Sequence, residues 1–302
     1  MTAATRGQQL SALVRMARPT TLPGGILAYV VGAAMGYGHA GSFDWGLAAV
    51  GLVVTEVTNL VASYADEYAD VDTDTLARRT RFSGGSGVLP AGIVPAAWAL
   101  RAAALSAGAS VLLTTALIAA GVLSPHVAWI VGLGLVGGWF YAMPPVQMER
   151  RGLGEIDNAL IGGILMPLMG YTVQVGRPSL DAFLALLPVF LLVLANLLGV
   201  HWPDREADAA VGKRSLVVIA GEKVRPLHHA LVATSYLLAL ALTGPVLPVA
   251  VTAGLVCALP LNVWSTVTLA RQRSTVPSAV AMAGSLALAA AGWVVVATGP
   301  TL

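Results

Sequence analysis

The sequence predicts an all-α membrane protein, on the basis of its composition, its continuous apolar segments and its charge distribution. Of the 302 residues, 57% are hydrophobic and 11% are charged, whereas soluble domains average about 25% charged residues. The apolar residues form long continuous segments instead of the short alternating strands of a membrane barrel. The net charge of +2 argues against a nucleic-acid-binding protein, and the single cysteine excludes an intrachain disulfide framework.

Nine apolar segments are long enough to cross a bilayer as helices, for which about 17–25 residues are needed. The second and the sixth segments each run into an acidic cluster at their carboxyl end. We expect the whole chain, 1–302, to form one integral-membrane domain, with 1–18 as an N-terminal segment that carries no signal-peptide cleavage site. In chain order the predicted spans are 22–38, 45–66, 94–121, 127–143, 156–175, 181–201, 227–245, 248–270 and 278–298.

The charge distribution predicts the orientation of the chain. Of the 17 lysine and arginine residues, all but Arg177 fall on the N-terminal segment, on the even-numbered loops or on helix ends beside them. The positive-inside rule then places the N-terminus and the even-numbered loops in the cytoplasm. We assign all but Asp44 and Asp181 of the 15 acidic residues to that same side. We therefore expect a multi-pass protein of the cell membrane whose acidic clusters face the cytoplasm.

Each acidic cluster forms a stripe on one face of a helix. Asn59, Ser63, Asp66 and Asp70 are spaced at i, i+4, i+7 and i+11, so they share a face. The second cluster places Asp204 and Asp208 four residues apart, directly after His201. Stacked carboxylates repel one another unless cations lie between them, and carboxylate oxygens suit Mg²⁺. The alternative is that these are solvated charges at the membrane interface.

Basic residues follow each acidic cluster and are candidates for binding phosphate, because arginine forks and lysine ammonium groups both bind phosphate oxygens. The alternative is that they serve only the charge bias of the cytoplasmic side. The candidates are Arg78, Arg81, Lys213 and Arg214.

With these motifs the chain, from Arg15 to about Gly221, resembles the UbiA superfamily of intramembrane prenyltransferases, in particular its menaquinone-type branch. Members of that family carry N-D-x-x-D-x-x-x-D after the second helix and D-x-x-x-D after the sixth. Asp66 and Asp70 match the later aspartates of the first motif, and Asp204 and Asp208 match the second. Further matching stretches are Ala17-Arg18-Pro19-Thr-Thr-Leu-Pro23, Arg81-Phe-Ser-Gly-Gly-Ser-Gly-Val-Leu-Pro90, Arg151-Gly-Leu-Gly-Glu155 and Gly212-Lys213-Arg214-Ser-Leu-Val-Val218.

The resemblance implies nine helices around a central cavity open to lipid, in which the aspartate motifs bind two Mg²⁺ ions and the diphosphate of an isoprenyl donor. Neutralising the leaving diphosphate and excluding water from the carbocation both suit such a cavity. Tyr141 is a candidate to stabilise that cation through its aromatic face, although tyrosines also form ordinary interfacial belts. Arg18 is a candidate contact for the acceptor or the diphosphate.

Two departures from the family pattern qualify this expectation. Ala62-Ser63 stands where the first motif begins Asn-Asp, and His201 stands where relatives carry Asn. The imidazole suits proton transfer, but a packed histidine at a helix end is an equal alternative. Asn59, Ser63 and Glu67 instead form N-x-x-x-S-x-x-x-E, the spacing by which class I terpene cyclases bind Mg²⁺.

The leading hypothesis is Mg²⁺-dependent transfer of a prenyl group from a prenyl diphosphate to a lipophilic, aromatic acceptor within the lipid bilayer. The first alternative is a UbiA-type terpene cyclase, which ionises the same donor and closes it on itself without an acceptor. A transporter is a third hypothesis, disfavoured because the charged clusters lie at one membrane face and not at the midplane. A non-catalytic lipid-binding relative is the fourth.

Overall fold

The protein is all-helical in the computed structural model, which describes residues 5–76, 85–269 and 274–299. The α-helices, in chain order, are α1 (Arg6–Met16), α2 (Leu22–Ala40), α3 (Trp45–Ala69), α4 (Val71–Leu76), α5 (Ala97–Ala119), α6 (Val127–Ala142), α7 (Gly154–Leu160), α8 (Met166–Val175), α9 (Leu180–His201), α10 (Arg205–Ala210), α11 (Leu216–Ala220), α12 (Val224–Leu242), α13 (Val249–Cys257), α14 (Leu259–Thr268) and α15 (Val276–Thr298). Single turns of 3-10 helix occur at Met148–Arg151, Trp202–Asp204 and Gly221–Lys223.

The prediction of an integral membrane protein holds, but the count of nine spans is confirmed only in part. Within the described residues, six helical segments are long and apolar enough to cross a membrane. Three other predicted spans, 22–38, 127–143 and 227–245, do form helices, but these are shorter or less apolar than the six. The six segments are Trp45–Ala69, Ala97–Ala119, Gly154–Val175, Leu180–Ala210, Val249–Thr268 and Val276–Thr298.

Small residues bring α2 and α8 into close contact. A Cβ atom at Gly32 would lie 1.5 Å from the Pro167 carbonyl oxygen, and one at Gly170 would lie 2.3 Å from that of Tyr29. Glycine at such positions lets membrane helices approach backbone to backbone, where van der Waals packing drives association. Ahead of α8, a π-helical turn at Ile161–Leu165 interrupts the span Gly154–Val175. Such turns often mark functional sites, and this one borders the cavity described below.

A buried polar network links α9, α12, α14 and α15. The Asn262 side chain is fully buried; its amide donates to Ser285 Oγ over 2.9 Å and to Tyr236 Oη over 3.2 Å, and it accepts from Asn196 Nδ2 over 2.9 Å. In the same helices Ser265 and Thr266 contact both ring nitrogens of His228. Hydrogen bonds of this kind join helices where hydrophobic burial gives little preference for one partner over another.

Candidate active site

The first acidic cluster stays helical beyond the end of α3. The amide of Asp70 donates to the Asp66 carbonyl over 2.9 Å, and that of Asp74 donates to the Asp70 carbonyl over 2.8 Å. Side chains at i, i+4 and i+8 therefore remain on one side, and all three carboxylates are buried. The structure thus brings together Asp66 and Asp70 as the spacing predicts, and it adds Asp74.

A third element completes a carboxylate cluster with Asp66 and Asp70. Glu149, in the 3-10 turn Met148–Arg151, contributes an oxygen that lies with theirs in a group spanning at most 4.8 Å. Asp70 Oδ1 and Glu149 Oε1 are buried and have no hydrogen-bond partner within the described residues. Closely grouped, unsatisfied carboxylate oxygens are the ligand type that Mg²⁺ prefers, so these residues fit a magnesium site. Glu149 was not predicted from the sequence, where its only signal is that it precedes the stretch Arg151–Glu155.

Lys213 lies between two of these carboxylates. Its Nζ is 2.6 Å from Asp70 Oδ2 and 2.5 Å from Glu149 Oε2. Gly212, at φ +73°, makes the turn that leads the chain back to this point. Burial by itself would lower the pKa of Lys213, because it favours the neutral amine. The negative charges of Asp70 and Glu149 outweigh this effect of burial and raise the pKa of Lys213 well above its usual value. Burial raises the pKa of both carboxyl groups, followed by repulsion from Asp66 in the case of Asp70 and from Asp70 in the case of Glu149.

The second acidic motif faces the first across a polar pocket of about 80 Å³. Asp208 accepts a hydrogen bond from Ser215 Oγ over 2.8 Å. Glu155 accepts from the Leu216 amide over 3.0 Å and lies 3.5 Å from His201 Nδ1, so it fixes the start of α11 and the imidazole. The lining residues are Arg18, Asp66, Asp70, Thr73, Asp74, Tyr141, Glu149, Glu155, His201, Asp204, Asp208, Lys213 and Ser215.

The charge of this pocket is strongly unbalanced. Seven carboxyl groups line it, against one arginine and one lysine. Burial, followed by the charge of Asp66, raises the pKa of Asp74 to about 7. Carboxylates crowded in a low-dielectric site hold their protons until a cation replaces them. The pocket therefore has the charge and the ligand type that bind multivalent cations.

Arg18 and Glu67 form an ion pair at the edge of the site. The Arg18 guanidinium pairs with Asp66 and donates through Nε to Glu67 Oε1 over 3.1 Å. Glu67 Oε1 also accepts from the Ser86 amide over 2.6 Å, and Glu67 Oε2 accepts from the Ser86 hydroxyl. Among the cavities of the described chain, Glu67 lines neither the polar pocket nor the larger one. The predicted set Asn59, Ser63 and Glu67 is therefore not gathered around one point.

A larger, mainly apolar cavity of about 520 Å³ adjoins the polar pocket. The two spaces share Arg18, Asp66, Tyr141 and His201, so a molecule with a charged head and an apolar tail would bridge them. Its other lining residues are Thr20, Thr21, Pro23, Gly24, Gly25, Leu27, Ala28, Asn59, Ala62, Ser63, Asn158, Ile161, Gly162, Met166, Val193, Leu197, Val200, Ala279, Val280, Met282, Ala283 and Leu286.

The predicted basic residues are placed unequally. Lys213 lies inside the site, whereas Arg214 is exposed and lines none of the three cavities found in the described part of the chain. Arg78 and Arg81 lie outside the described residues. Arg18, proposed from its place before the first span, lies at the junction of the two cavities.

Comparisons with known proteins support a prenyltransferase-like chain. Residues 26–286 match the UbiA prenyltransferase family. Among curated proteins, the 1,4-dihydroxy-2-naphthoate octaprenyltransferase of Bacillus subtilis (strain 168) is 26% identical over 98 residues. That match spans only about a third of either protein, 32% of this chain and 32% of the relative.

Solved structures share the fold over nearly the whole chain. A UbiA homologue from Archaeoglobus fulgidus bound to DMAPP and Mg²⁺ superposes with a TM-score of 0.65 at 16% identity, covering 92% of this chain and 98% of that one. The apo UbiA homologue from Aeropyrum pernix K1 gives 0.64 at 16% identity, covering 89% and 97%. A digeranylgeranylglyceryl phosphate synthase gives 0.66 at 14% identity, covering 94% and 98%. At these identities the likeness establishes the fold.

Proposed function

The chain belongs to the UbiA prenyltransferase family, and from this premise we propose that it transfers the prenyl group of a prenyl diphosphate to a lipophilic, aromatic acceptor within the membrane, with Mg²⁺ as cofactor. The family membership confirms the resemblance on which the sequence analysis relied. The observation that carries the proposal is a strongly anionic pocket opening directly into an apolar cavity. An ionic diphosphate and a hydrocarbon chain, joined in one molecule, match that pair of spaces.

The residues of the polar pocket divide into metal-binding and phosphate-binding groups. Asp66, Asp70 and Glu149 would hold one Mg²⁺, and Asp204 with Asp208 would hold a second. Bound Mg²⁺ supplies Lewis-acid neutralisation of the leaving diphosphate. Among the cations, Arg18 and Lys213 are the groups positioned to bind phosphate oxygens.

The proposed reaction breaks the allylic C–O bond, and the electron pair leaves with the diphosphate. A carbon of the acceptor then forms the new C–C bond, and the acceptor loses one proton to restore its aromatic ring. Tyr141 lines both cavities at their junction, where its ring face is suited to the allylic cation. The apolar lining keeps water from that cation.

Paired aspartates provide the test. Asp70 is buried in the site, whereas Asp72, two residues later, is exposed and lines none of the cavities of the described residues. Purified protein in nanodiscs is assayed for diphosphate release from geranyl and farnesyl diphosphates with and without Mg²⁺ and hydroxynaphthoate or hydroxybenzoate. We expect Asp70→Asn to lose at least 100-fold in rate, as removal of a group that stabilises developing charge does, and Asp72→Asn to match the wild type.

The outcomes separate the competing functions. Release that requires the acceptor, with prenylated product, supports the transferase. Mg²⁺-dependent cyclic hydrocarbon formed without acceptor would instead establish the cyclase. Equal rates for the two asparagine variants would refute the metal-site assignment.

We also propose that the polar pocket faces the cytoplasm, because all but one of the basic residues lie on that side of the predicted topology. Replacing Cys257 by alanine leaves no thiol. Single cysteines at 177 and 214 are then exposed to an impermeant maleimide in intact cells. Labelling only at 177 supports this orientation, and labelling only at 214 refutes it.

A further inference from the structure

An acidic residue outside the proposed machinery lies in the middle of a membrane-spanning helix. Glu56 is the twelfth residue of α3, within the span Trp45–Ala69. Ionisable groups at that depth are costly and usually serve a function. Neither acidic motif includes it, and its place within this span corrects the expectation that it lies on the cytoplasmic side.

The Glu56 carboxyl group lies next to two residues that line the large cavity. A Cβ atom added to Gly25 would lie 2.9 Å from Glu56 Oε1 and 3.6 Å from both Sδ and Cε of Met166. The carboxyl group and the thioether therefore flank the same point beside Gly25. Gly25 and Met166 both line the cavity. Glu56 itself is not among the described residues that line the cavity. Because Gly25 has no side chain and methionine is flexible, a shift of the Met166 side chain would bring the Glu56 carboxyl group into contact with the cavity space.

Both oxygens of Glu56 lack a hydrogen-bond partner in the part of the chain that the structure describes, and both are buried. The amide of Asn59, one turn further along α3, is nearby but without hydrogen-bond geometry. Leaving a polar group without a hydrogen bond in a hydrocarbon environment is unfavourable, and leaving a charged group unpaired there is more so. A carboxyl group with neither oxygen paired, next to the cavity lining, is therefore suited to exchange hydrogen bonds with a ligand.

The donor of the proposed reaction cannot supply that partner. Glu56 precedes Asp66 by ten residues, which is about 15 Å along the helix axis. The diphosphate would be held at the Asp66 end, and the prenyl tail that extends into the cavity has no oxygen or nitrogen. A hydrogen-bonding ligand for Glu56 would therefore be a second molecule, distinct from the donor.

We infer that Glu56 hydrogen-bonds a ring hydroxyl of the acceptor and thereby selects hydroxylated aromatic acceptors. This inference rests on the proposed transferase function and deepens it. A site built around a substrate hydroxyl discriminates strongly against the analogue that lacks it, because its own polar group is then left unpaired. The structure assigns this specificity to a residue remote from both aspartate motifs.

Chemical modification tests the inference without turnover. Dicyclohexylcarbodiimide, a lipophilic reagent for protonated carboxyl groups, is applied to the protein in nanodiscs, and modification of Glu56 is quantified by mass spectrometry. We expect 1,4-dihydroxy-2-naphthoate to protect Glu56 at least tenfold and 2-naphthoate, which lacks the ring hydroxyls, to protect it less than twofold. Equal protection by the two compounds, no protection, or no modification of Glu56 would each overturn the inference.

Steady-state kinetics provide the second arm. We expect Glu56→Leu to raise the KM for the acceptor at least tenfold while the KM for the donor stays within twofold, and Glu56→Gln to stay close to the wild type because an amide keeps the hydrogen bonding. Thr55→Val is the matched control at the same depth. The Thr55 hydroxyl already donates a hydrogen bond to the Gly51 carbonyl oxygen over 2.8 Å, so it is not free to bind a ligand. An unchanged acceptor KM in Glu56→Leu would refute the role of Glu56 alone. Wild-type protein that releases no diphosphate with the hydroxylated acceptor would refute the proposed transfer, whatever the labelling shows.

Discussion

Replacing Lys213 by methionine should remove an internal ion pair and make the thermal stability of the protein depend on Mg²⁺. The ammonium group is buried between two carboxylates that are 9% and 1% exposed. Methionine keeps an unbranched side chain, shorter by the terminal nitrogen, and removes the charge, so Asp70 and Glu149 would face each other without a counterion. The change therefore isolates electrostatics from packing.

The magnitude follows from the burial of these groups. Removing one partner of a buried ion pair costs about 3–5 kcal/mol, because the other partner is left uncompensated. Since burial already raises the pKa of both carboxyl groups, one of them takes up a proton in the variant, which limits the cost to about 3 kcal/mol. For a chain of this size about 1 kcal/mol corresponds to roughly 2 °C, so Lys213→Met should unfold about 6 °C lower without divalent cations.

Thermal unfolding in detergent, with EDTA or with millimolar Mg²⁺, is the assay. Ligand binding to the folded state stabilises it by mass action, and the carboxylates of the variant bind Mg²⁺ without competition from an ammonium group. We therefore expect added Mg²⁺ to reduce the difference from the wild type to less than about 2 °C. Lys223→Met, which removes an exposed lysine, is the control. A deficit that Mg²⁺ leaves unchanged, or a Lys213→Met variant as stable in EDTA as Lys223→Met, would refute the reasoning.

Three further predictions concern packing, the polar network and pH. Gly32→Ala should lower the free energy of unfolding by about 3 kcal/mol or more, because the new Cβ overlaps the Pro167 carbonyl. The control Gly132→Ala, at a position with open space around it, should be neutral or stabilising. Equal unfolding temperatures for the two variants would contradict this. Asn262→Leu should cost about 1–3 kcal/mol through its lost interhelical hydrogen bonds, measured by thermal unfolding; no change would show that the network adds nothing. Mg²⁺ affinity, measured by calorimetry, should rise from pH 6 to pH 8. Protons compete with Mg²⁺ for carboxyl groups whose pKa is raised, among them Asp74 with a pKa of about 7. An affinity independent of pH would argue against these ligands.

The sequence predicted the parts of the site that follow helical periodicity. Asp66 and Asp70 share a face because α3 continues past its last apolar turn, and this continuation can be derived from spacing alone. Glu149 could not be predicted in this way, since it belongs to a single 3-10 turn with no periodic pattern. The pairing of Lys213 with Asp70 joins residues 143 positions apart, and only the packing of the helices brings them together.

The same limitation explains the placement of Glu67. Its spacing with Asn59 and Ser63 suggested a third metal ligand, and the same i, i+4, i+8 spacing does keep Asp66, Asp70 and Asp74 on one side. Glu67 is instead held by segments outside α3, because Arg18 and Ser86 donate hydrogen bonds to both of its oxygens. The spacing of residues in the sequence predicts which side chains share a helical face. The packing of neighbouring segments determines which residues that face contacts.

Helix α3 links the two proposals, because it carries the carboxylates of the polar pocket at one end and Glu56 near its middle. A rigid helix fixes the separation between these groups at about 15 Å along its axis. If the diphosphate binds at Asp66 and the acceptor hydroxyl at Glu56, substitutions at the two positions must have separable effects. Asp66→Asn should weaken Mg²⁺-dependent diphosphate release for every acceptor, whereas Glu56→Leu should change the ranking of acceptors without altering the Mg²⁺ requirement. A common effect of both substitutions on Mg²⁺ and on acceptor preference would mean that one ligand contacts both residues, which the span of α3 does not permit for a diphosphate alone.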